Sequence, residues 1–424
     1  MILFQGQLYE DRELPRLRGE LEVRCLETIA SRTIAPEQVI SACGVLAERV
    51  RRGDYDQVLR PFLADFHISP GQFEAALRLL EPGSLRRKLA LELGPGPEDT
   101  PLPCPGRAPI QRRRFPLGVL LHIAAGNVDG LPAYSVVEGL LAGNINILKL
   151  PSMDRGASLL LLRELAAIEP ALKDFVYVFD VPSSDLASLT EFARIAGGVV
   201  VWGGDEAVRA ARTLAGPDTR VIPWGHKLSF AYVSGEASDG DLAALAKHIC
   251  ETRQLLCSSC QGIFLDTEDM GAVEAFGERF FQILQAENAR HAPADMGLRA
   301  KASLQLWTEA LEAVETGRRV LRGGGAGVTI APDSRLELSA LAGNCWVKPL
   351  PRRRIVHVLS PEKGRLQTAG LLCPPEERPA LSALLARAGV VRVTWAGDMS
   401  RTLPGEAHDG LYPLQLYSRI VEFG

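Results

Sequence analysis

The sequence lacks several features that would assign it to a specialised class of protein. No apolar run approaches the roughly 18 residues that a membrane-spanning helix needs. The 47 basic and 51 acidic residues leave a net charge of −4, so the sequence lacks the excess of basic residues that is typical of nucleic-acid-binding proteins. Eight cysteines dispersed over 424 residues do not resemble a disulfide framework. Because the N-terminus also lacks the basic region and cleavage site of a signal peptide, these absences predict a reduced, cytoplasmic protein.

The pattern of apolar residues predicts five segments. Residues 1–92 are expected to be mainly amphipathic helices, since apolar residues recur there at three- and four-residue spacing. Residues 93–110 are rich in proline and glycine, which predicts a linker or crossing segment. Over residues 111–227, continuous apolar strands alternate with helices, as in a parallel sheet covered on both faces. A second α/β region is predicted over 228–400, followed by a C-terminal tail over 401–424.

Several short apolar runs of the second region are predicted to be strands. They include GVTIA, CWVKPL and IVHVL. The run VVRVTWAGDM and the tail segment HDGLYPLQLYSRIVEFG are expected to form a closing strand pair.

The stretch TRQLLCSSCQGIFL, residues 252–265, places Cys257 and Cys260 between a predicted helix and a predicted strand. A zinc site is disfavoured because the nearby His248 and Cys250 point about 200° apart on a helix. A dithiol of the thioredoxin type is disfavoured because such a motif precedes a helix, whose N-terminus stabilises the thiolate. Two interpretations of the loop alone stay open, a pair of core cysteines and a single thiolate nucleophile.

Three further positions lie where parallel strands are predicted to end. Asn127, in HIAAGNVDG, is suited to donate to a developing oxyanion, although a turn or helix-cap role is the alternative. Lys149 ends the strand of ILKLPS, where a doubly wound sheet presents its ligand crevice; otherwise it is an ordinary strand-end lysine. Gly203 and Gly204 lead from a strand into a helix, where backbone could approach a pyrophosphate, but two glycines are a weak signal.

The order of these motifs along the chain resembles the aldehyde dehydrogenase superfamily. Asn127, Lys149 and the Gly203-Gly204 pair are followed by Gly225-His226-Lys227 and by Gln254-x-x-Cys257. The resemblance implies an α/β, aldehyde dehydrogenase-like fold. Its parts would be a Rossmann-type cofactor domain, an α/β catalytic domain and a segment that serves oligomerisation.

Two departures from the superfamily pattern carry information. Pro223 stands where the hydrolytic dehydrogenases have a glutamate that activates water, so hydrolysis of an acyl-enzyme is not expected. Ser152 stands where members that prefer NAD commonly have an acid that binds the adenine ribose. A carboxylate at this position would repel the 2′-phosphate of NADPH. Because Ser152 is uncharged, the sequence is compatible with NADPH as the cofactor.

Within the superfamily, the sequence is most similar to the LuxC-type acyl-CoA reductases. The similarity is carried by Gln254-x-x-Cys257-x-Ser259-x-Gln261 and by a C-terminal segment that runs from Ala407-His408-Asp409-Gly410 to Pro413-Leu414-Gln415. It implies that Cys257 is the sole nucleophile, that Asn127 is an oxyanion donor and that His408 assists proton delivery.

The same resemblance implies a set of ligands and partners. NADPH is the expected cofactor, with NADH as the alternative, and the expected binding residues are Lys149, Ser152, Gly203 and Gly204; no metal is expected. The substrate would be a long-chain acyl thioester of CoA or of a carrier. An acyl-activating or acyl-transferring protein and a homo-oligomer are the expected partners. The alternatives are another acylating aldehyde dehydrogenase and an inactive acyl-carrier or assembly subunit.

Overall fold

The computed structural model describes residues 1–65, 68, 70–94, 101–124, 131–151, 154–291 and 296–424. Within them the chain forms two compact units. One comprises Met1–Gly225 with Leu403–Gly424, and the other comprises His226–Thr402.

The first unit is built from a mixed set of helices and strands. Its described strands are β1 (Ile2–Phe4), β2 (Gln7–Tyr9), β3 (Gln111–Pro116), β4 (Val119–Ile123), β5 (Ile145–Lys149), β6 (Val176–Phe179), β7 (Gly198–Trp202), β8 (Arg220–Trp224) and β16 (Ser418–Phe423). Its described α-helices are α1 (Leu14–Ser31), α2 (Pro36–Arg51), α3 (Asp56–Asp65), α4 (Pro70–Leu79), α5 (Pro82–Leu93), α6 (Leu131–Leu141), α7 (Ala157–Ile168), α8 (Leu186–Ile195), α9 (Asp205–Leu214) and α15 (Pro413–Leu416).

The main sheet of this unit has the order β2-β1-β6-β5-β4-β7-β8. Strands β6, β5, β4, β7 and β8 are parallel neighbours, and β5 and β7 are buried along their whole length. Continuous apolar strands bury both faces against helices, which is why their sequences show no alternation. The strand order reverses between β4 and β7, and in such sheets the crevice beyond the carboxyl ends of these strands binds ligands.

The N-terminus differs from the helical expectation in one element. Strands β1 and β2 form a hairpin, and β1 extends the main sheet by pairing antiparallel with β6. Both residues of its turn, Gln5 and Gly6, have positive φ values of 49° and 76°, which is typical of a two-residue hairpin. Three apolar residues at the chain start are too short a run to distinguish strand from helix by periodicity.

The second unit contains one seven-stranded sheet. Its described elements are β9 (Leu228–Val233), α10 (Asp239–Thr252), β10 (Cys260–Leu265), α11 (Met270–Asn288), α12 (Met296–Thr316), β11 (Arg319–Gly323), β12 (Ala326–Ile330), β13 (Asn344–Pro349), α13 (Ile355–Leu359), β14 (Leu366–Leu372), α14 (Arg378–Ala388) and β15 (Arg392–Trp395). The strand order is β11-β12-β13-β10-β9-β14-β15, and every neighbouring pair is parallel except β11 with β12.

Two predictions of strands in this region are wrong. The run IVHVL is helix α13, in which Ile355 and Leu359 bury one face at helical spacing. The expected closing pair does not form, because β15 lies parallel to β14 while β16 pairs antiparallel with β3. Pairing partners depend on contacts between distant segments, and neither run encodes its partner locally.

The two mainly parallel sheets with their helices confirm the α/β fold class. No helix in the described ranges combines the length and apolarity that crossing a bilayer requires.

Candidate active site

The loop that carries Cys257 lies at the N-terminal edge of the second unit's sheet, between α10 and β10. Arg253 and Gln254 have positive φ values of 48° and 60°, so the chain turns sharply as α10 ends. Of the eight cysteines, all of which the structure describes, Cys257 alone is exposed. Cys260 begins β10 and is fully buried.

The environment of Cys260 makes its thiol unreactive. Its Sγ donates to the Gly262 carbonyl oxygen at 3.2 Å, and burial raises the pKa of the thiol to about 12. Its backbone N–H donates to His248 Nε2 at 3.3 Å. Burial lowers the pKa of His248 to about 4, so the imidazole is neutral and accepts this bond at neutral pH. Since a thiolate is the reactive form of cysteine, Cys260 is unsuited to nucleophilic attack.

The described ranges contain no group of three or more His, Cys, Asp or Glu side chains placed to hold a metal ion. In particular, His248 is already engaged by the Cys260 backbone.

The backbone around Cys257 is fixed by side chains from neighbouring segments. Ser229 Oγ donates to the Cys257 carbonyl oxygen at 2.7 Å. The Leu256 N–H donates to Ser259 Oγ at 3.1 Å, and the Ser259 N–H donates to the Leu256 carbonyl oxygen at 2.9 Å. These bonds hold the loop in a defined conformation while the Cys257 side chain stays exposed.

Lys149 ends β5 at the carboxyl edge of the first unit's sheet. Its side chain is largely buried, and Nζ donates to the exposed Ser183 hydroxyl at 3.0 Å. Burial lowers the pKa of Lys149, and the nearby Asp180 carboxylate partly offsets this effect. Ser183 was not a predicted site residue; its position just beyond β6, the parallel neighbour of β5, is the signal that could have identified it.

Gly203 and Gly204 connect β7 to α9 at the same edge. The Gly203 N–H donates to the Trp224 carbonyl oxygen at 3.1 Å. Gly204 caps α9 without a side-chain hydrogen bond, and an added Cβ would meet no atom within 4 Å. The first N–H groups of a helix lack intrahelical partners, so this exposed end offers donors to an anionic group, although the first turn of α9 also carries the acidic Asp205 and Glu206.

His408 lies on the tail at the ends of β7 and β8. Its half-buried ring packs edge-on against Trp202 and Trp224, with ring centroids 5.1 and 4.8 Å apart. Asp409 and Gly410 have positive φ values of 49° and 78° and form the tight turn that follows. Two backbone bonds of 2.8 Å between His408 and Leu411 close this turn.

The structure thus brings Lys149, Gly203, Gly204 and His408 to one edge of the first unit's sheet. Asn127 and Ser152 lie outside the described residues. Pro223 lies within the edge strand β8, where a missing N–H is tolerated, and its side chain offers no base.

Known proteins resemble this chain in sequence. The model of the acyl-CoA reductase (LuxC) family matches residues 51–420. A long-chain acyl-protein thioester reductase of Aliivibrio fischeri is 27% identical in an alignment over 326 residues that covers 72% of this chain and 64% of that protein. Its counterpart of Photorhabdus luminescens is 28% identical in an alignment over 321 residues that covers 72% of this chain and 63% of that protein. The chain therefore spans less than two thirds of the length of these relatives.

Solved structures resemble it in fold. A glyceraldehyde-3-phosphate dehydrogenase of Methanocaldococcus jannaschii, solved with NADP, superimposes with a TM-score of 0.70 at 13% identity, covering 96% of this chain and 93% of that one. Betaine aldehyde dehydrogenase of Staphylococcus aureus gives a TM-score of 0.73 at 12% identity, covering 96% and 88%. The sequence match and the fold agree with the motifs of the two units, and the chain belongs to the acyl-CoA reductase (LuxC) family.

Proposed function

We propose that this protein reduces an acyl thioester to the aldehyde through a covalent intermediate on Cys257, with a reduced nicotinamide cofactor. The observation that carries the proposal is the contrast within the Cys-x-x-Cys stretch: Cys257 is exposed on a braced loop, whereas Cys260 is buried with a raised pKa. Membership of the acyl-CoA reductase family supports the same reaction class.

The reaction takes two steps at one sulfur atom. The Cys257 thiolate attacks the carbonyl carbon of the thioester and forms a new S–C bond, while the original C–S bond of the thioester breaks. The leaving group departs as a thiolate and takes up a proton from solvent. A reduced nicotinamide, when bound, would supply a hydride to the acyl carbon. The resulting thiohemiacetal then releases the aldehyde as the bond to Cys257 breaks and the thiolate is regenerated.

Other residues of the chain stabilise and direct these steps. Asn127 and the Cys257 backbone N–H would donate to the oxyanion that develops on the carbonyl oxygen. His408 would assist proton delivery. Pro223 cannot act as a base toward water, which favours reduction of the acyl-enzyme over its hydrolysis.

The cofactor would lie along the carboxyl edge of the first unit's sheet. Lys149 presents a largely buried cation beside an exposed hydroxyl, a combination that fits the ribose or a 2′-phosphate. The open N-terminus of α9 after Gly203 and Gly204 fits the pyrophosphate. Ser152 stands where superfamily members that prefer NAD commonly have a carboxylate, and its lack of charge favours NADPH over NADH.

The family and its relatives support proposals for the substrate, the partners and the location of the protein. The matched proteins are named long-chain acyl-protein thioester reductases, so we propose a long-chain acyl group delivered by CoA or by a carrier or transferring protein. The two-stranded sheet of β3 and β16 is separate from both larger sheets, and we propose that it serves a homo-oligomer. The cytoplasm is the proposed compartment.

The test of this function is NADPH oxidation with acyl-CoAs of increasing chain length, together with detection of the aldehyde. We expect one aldehyde per NADPH consumed and a preference for long chains. Binding of NADPH without turnover of any acyl thioester, including carrier-bound ones, would favour the inactive assembly subunit instead.

A further inference from the structure

The buried amide of Gln254 joins the two ends of the Cys257 loop. Its side chain is 2% exposed, and Nε2 donates to the Cys260 carbonyl oxygen at 2.9 Å. The backbone carbonyl oxygen of Gln254 accepts from Gln261 Nε2 at 3.2 Å. The start of the loop at Gln254 is therefore tied to its end at Cys260 and Gln261 from inside the protein.

The same amide attaches the loop to the segment that precedes β13. Two further acceptors, Ser339 Oγ at 3.0 Å and the Asn344 carbonyl oxygen at 2.7 Å, share the two hydrogens of Nε2 with the Cys260 carbonyl. Oε1 accepts from the N–H groups of Gly343 and Asn344, both at 3.2 Å. Ser339 Oγ in turn donates to Gln261 Oε1 at 2.8 Å. The donor Nε2 and the acceptor Oε1 of Gln254 are thus both engaged. No other side chain of similar size carries an NH2 donor and a carbonyl acceptor at these two positions.

The segment that Gln254 holds has an unusual backbone. Leu341, Ala342 and Gly343 all have positive φ, at 63°, 51° and 85°. Non-glycine residues rarely adopt this conformation, and it persists where surrounding contacts over-determine it. The Ala342 N–H donates to the Arg253 carbonyl oxygen at 3.2 Å, which adds a further link to the start of the loop.

We infer that Gln254 is a positioning residue for acyl transfer: its amide fixes the loop backbone and so sets the direction from which the Cys257 sulfur meets the thioester. This inference rests on the proposed role of Cys257. It assigns Gln254 no contact with the substrate. A loss of positioning should lower the rate constant of acylation and leave thioester binding unchanged, because misplacing a nucleophile weakens the transition state more than the bound ground state.

The test uses Gln254→Glu, which keeps the size and the Oε1 acceptor but removes the donor. At pH 8 the new carboxylate would face the carbonyl oxygens of Cys260 and Asn344. We expect the limiting rate constant of Cys257 acylation, measured without NADPH, to fall about 10- to 100-fold, with the half-saturating thioester concentration unchanged. Burial raises a carboxyl pKa, so lowering the pH should protonate the new side chain and restore one donor. The ratio of variant to wild-type rate should therefore rise as the pH falls from 8 to 6.

Asn146→Asp is the matched control, since it makes the same amide-to-acid change in a fully buried side chain of the first unit. The Asn146 amide also donates to two carbonyl oxygens, those of Asn144 and Phe175. The folded fraction of this control, measured by circular dichroism, should acylate at the wild-type rate. A Gln254→Glu protein whose folded fraction acylates at the wild-type rate, or whose only change is weaker thioester binding, would overturn the inference. Absence of acylation in the wild-type protein would instead refute the proposed function, and with it this role.

Discussion

Lys149 offers a prediction in which cofactor binding and stability respond differently. Its largely buried ammonium donates to the exposed Ser183 hydroxyl, and burial lowers its pKa because the charged form is poorly solvated. Replacing it by methionine in Lys149→Met keeps an unbranched side chain that is one heavy atom shorter and removes the charge. The variant then no longer buries a cation, and the exposed Ser183 hydroxyl can hydrogen-bond to water in place of Lys149.

The expected magnitudes follow from these contacts. A hydrogen bond from a charged group to a ligand contributes about 1.5 to 3 kcal/mol, so the Kd of NADPH should rise about 10- to 150-fold. The free energy of unfolding should stay unchanged or increase by about 1 kcal/mol, because an apolar group replaces a buried charge. Titration calorimetry with NADPH and urea unfolding of the same samples measure both quantities.

The control is Ser183→Ala, which removes the hydroxyl but keeps the cation. It should weaken NADPH binding less than Lys149→Met does. A Lys149→Met protein that loses stability while its folded fraction binds NADPH normally would show that Lys149 is a structural residue, and the cofactor site would have to lie elsewhere.

Three further predictions concern other residues. Ser152→Glu should shift the ratio of kcat/KM for NADPH over NADH toward NADH by about tenfold or more, since the new carboxylate repels a 2′-phosphate; an unchanged ratio would remove Ser152 from the ribose site. Asn127→Ala should lower kcat about 10²- to 10³-fold with little change in KM; a raised KM with intact kcat would identify a positioning or capping residue. His122 and His248 have pKa values lowered to about 4 by burial, whereas unfolded histidine titrates near 6.5. The unfolded chain thus binds more protons between these values, and stability should fall by up to about 3 kcal/mol per histidine as the pH drops from about 6.5 to 4; a flat urea-unfolding profile over that range would contradict this.

The parallel sheets could be predicted because the composition and the length of their strands can be recognised in the sequence. Runs such as GVVVW are apolar throughout, are too short for helices and alternate with helical segments. The run IVHVL carries the same composition, yet the periodicity of five residues does not separate a buried strand from one turn of helix. The N-terminal hairpin was missed for the same reason.

For the candidate site, local sequence patterns could indicate candidate residues, but they could not indicate contacts with distant segments. The motif around Cys257 distinguished it from Cys260, and the burial of Cys260 agrees with that choice. Gln254 belonged to the motif, but its bonds to Ser339 and Asn344 join segments 85 and 90 residues apart. Sequence spacing carries no signal for such contacts, and the same holds for the pairing of Lys149 with Ser183.

Intact-protein mass spectrometry can test whether Cys257 alone carries the acyl group. Protein incubated with a long-chain acyl-CoA and no NADPH should gain one acyl mass, which peptide mapping should assign to Cys257. Cys260→Ala should gain the same mass and keep most of its activity, whereas Cys257→Ala should gain none and form no aldehyde. An acyl group mapped to Cys260, or full acylation of Cys257→Ala, would refute the assignment of Cys257 as the nucleophile.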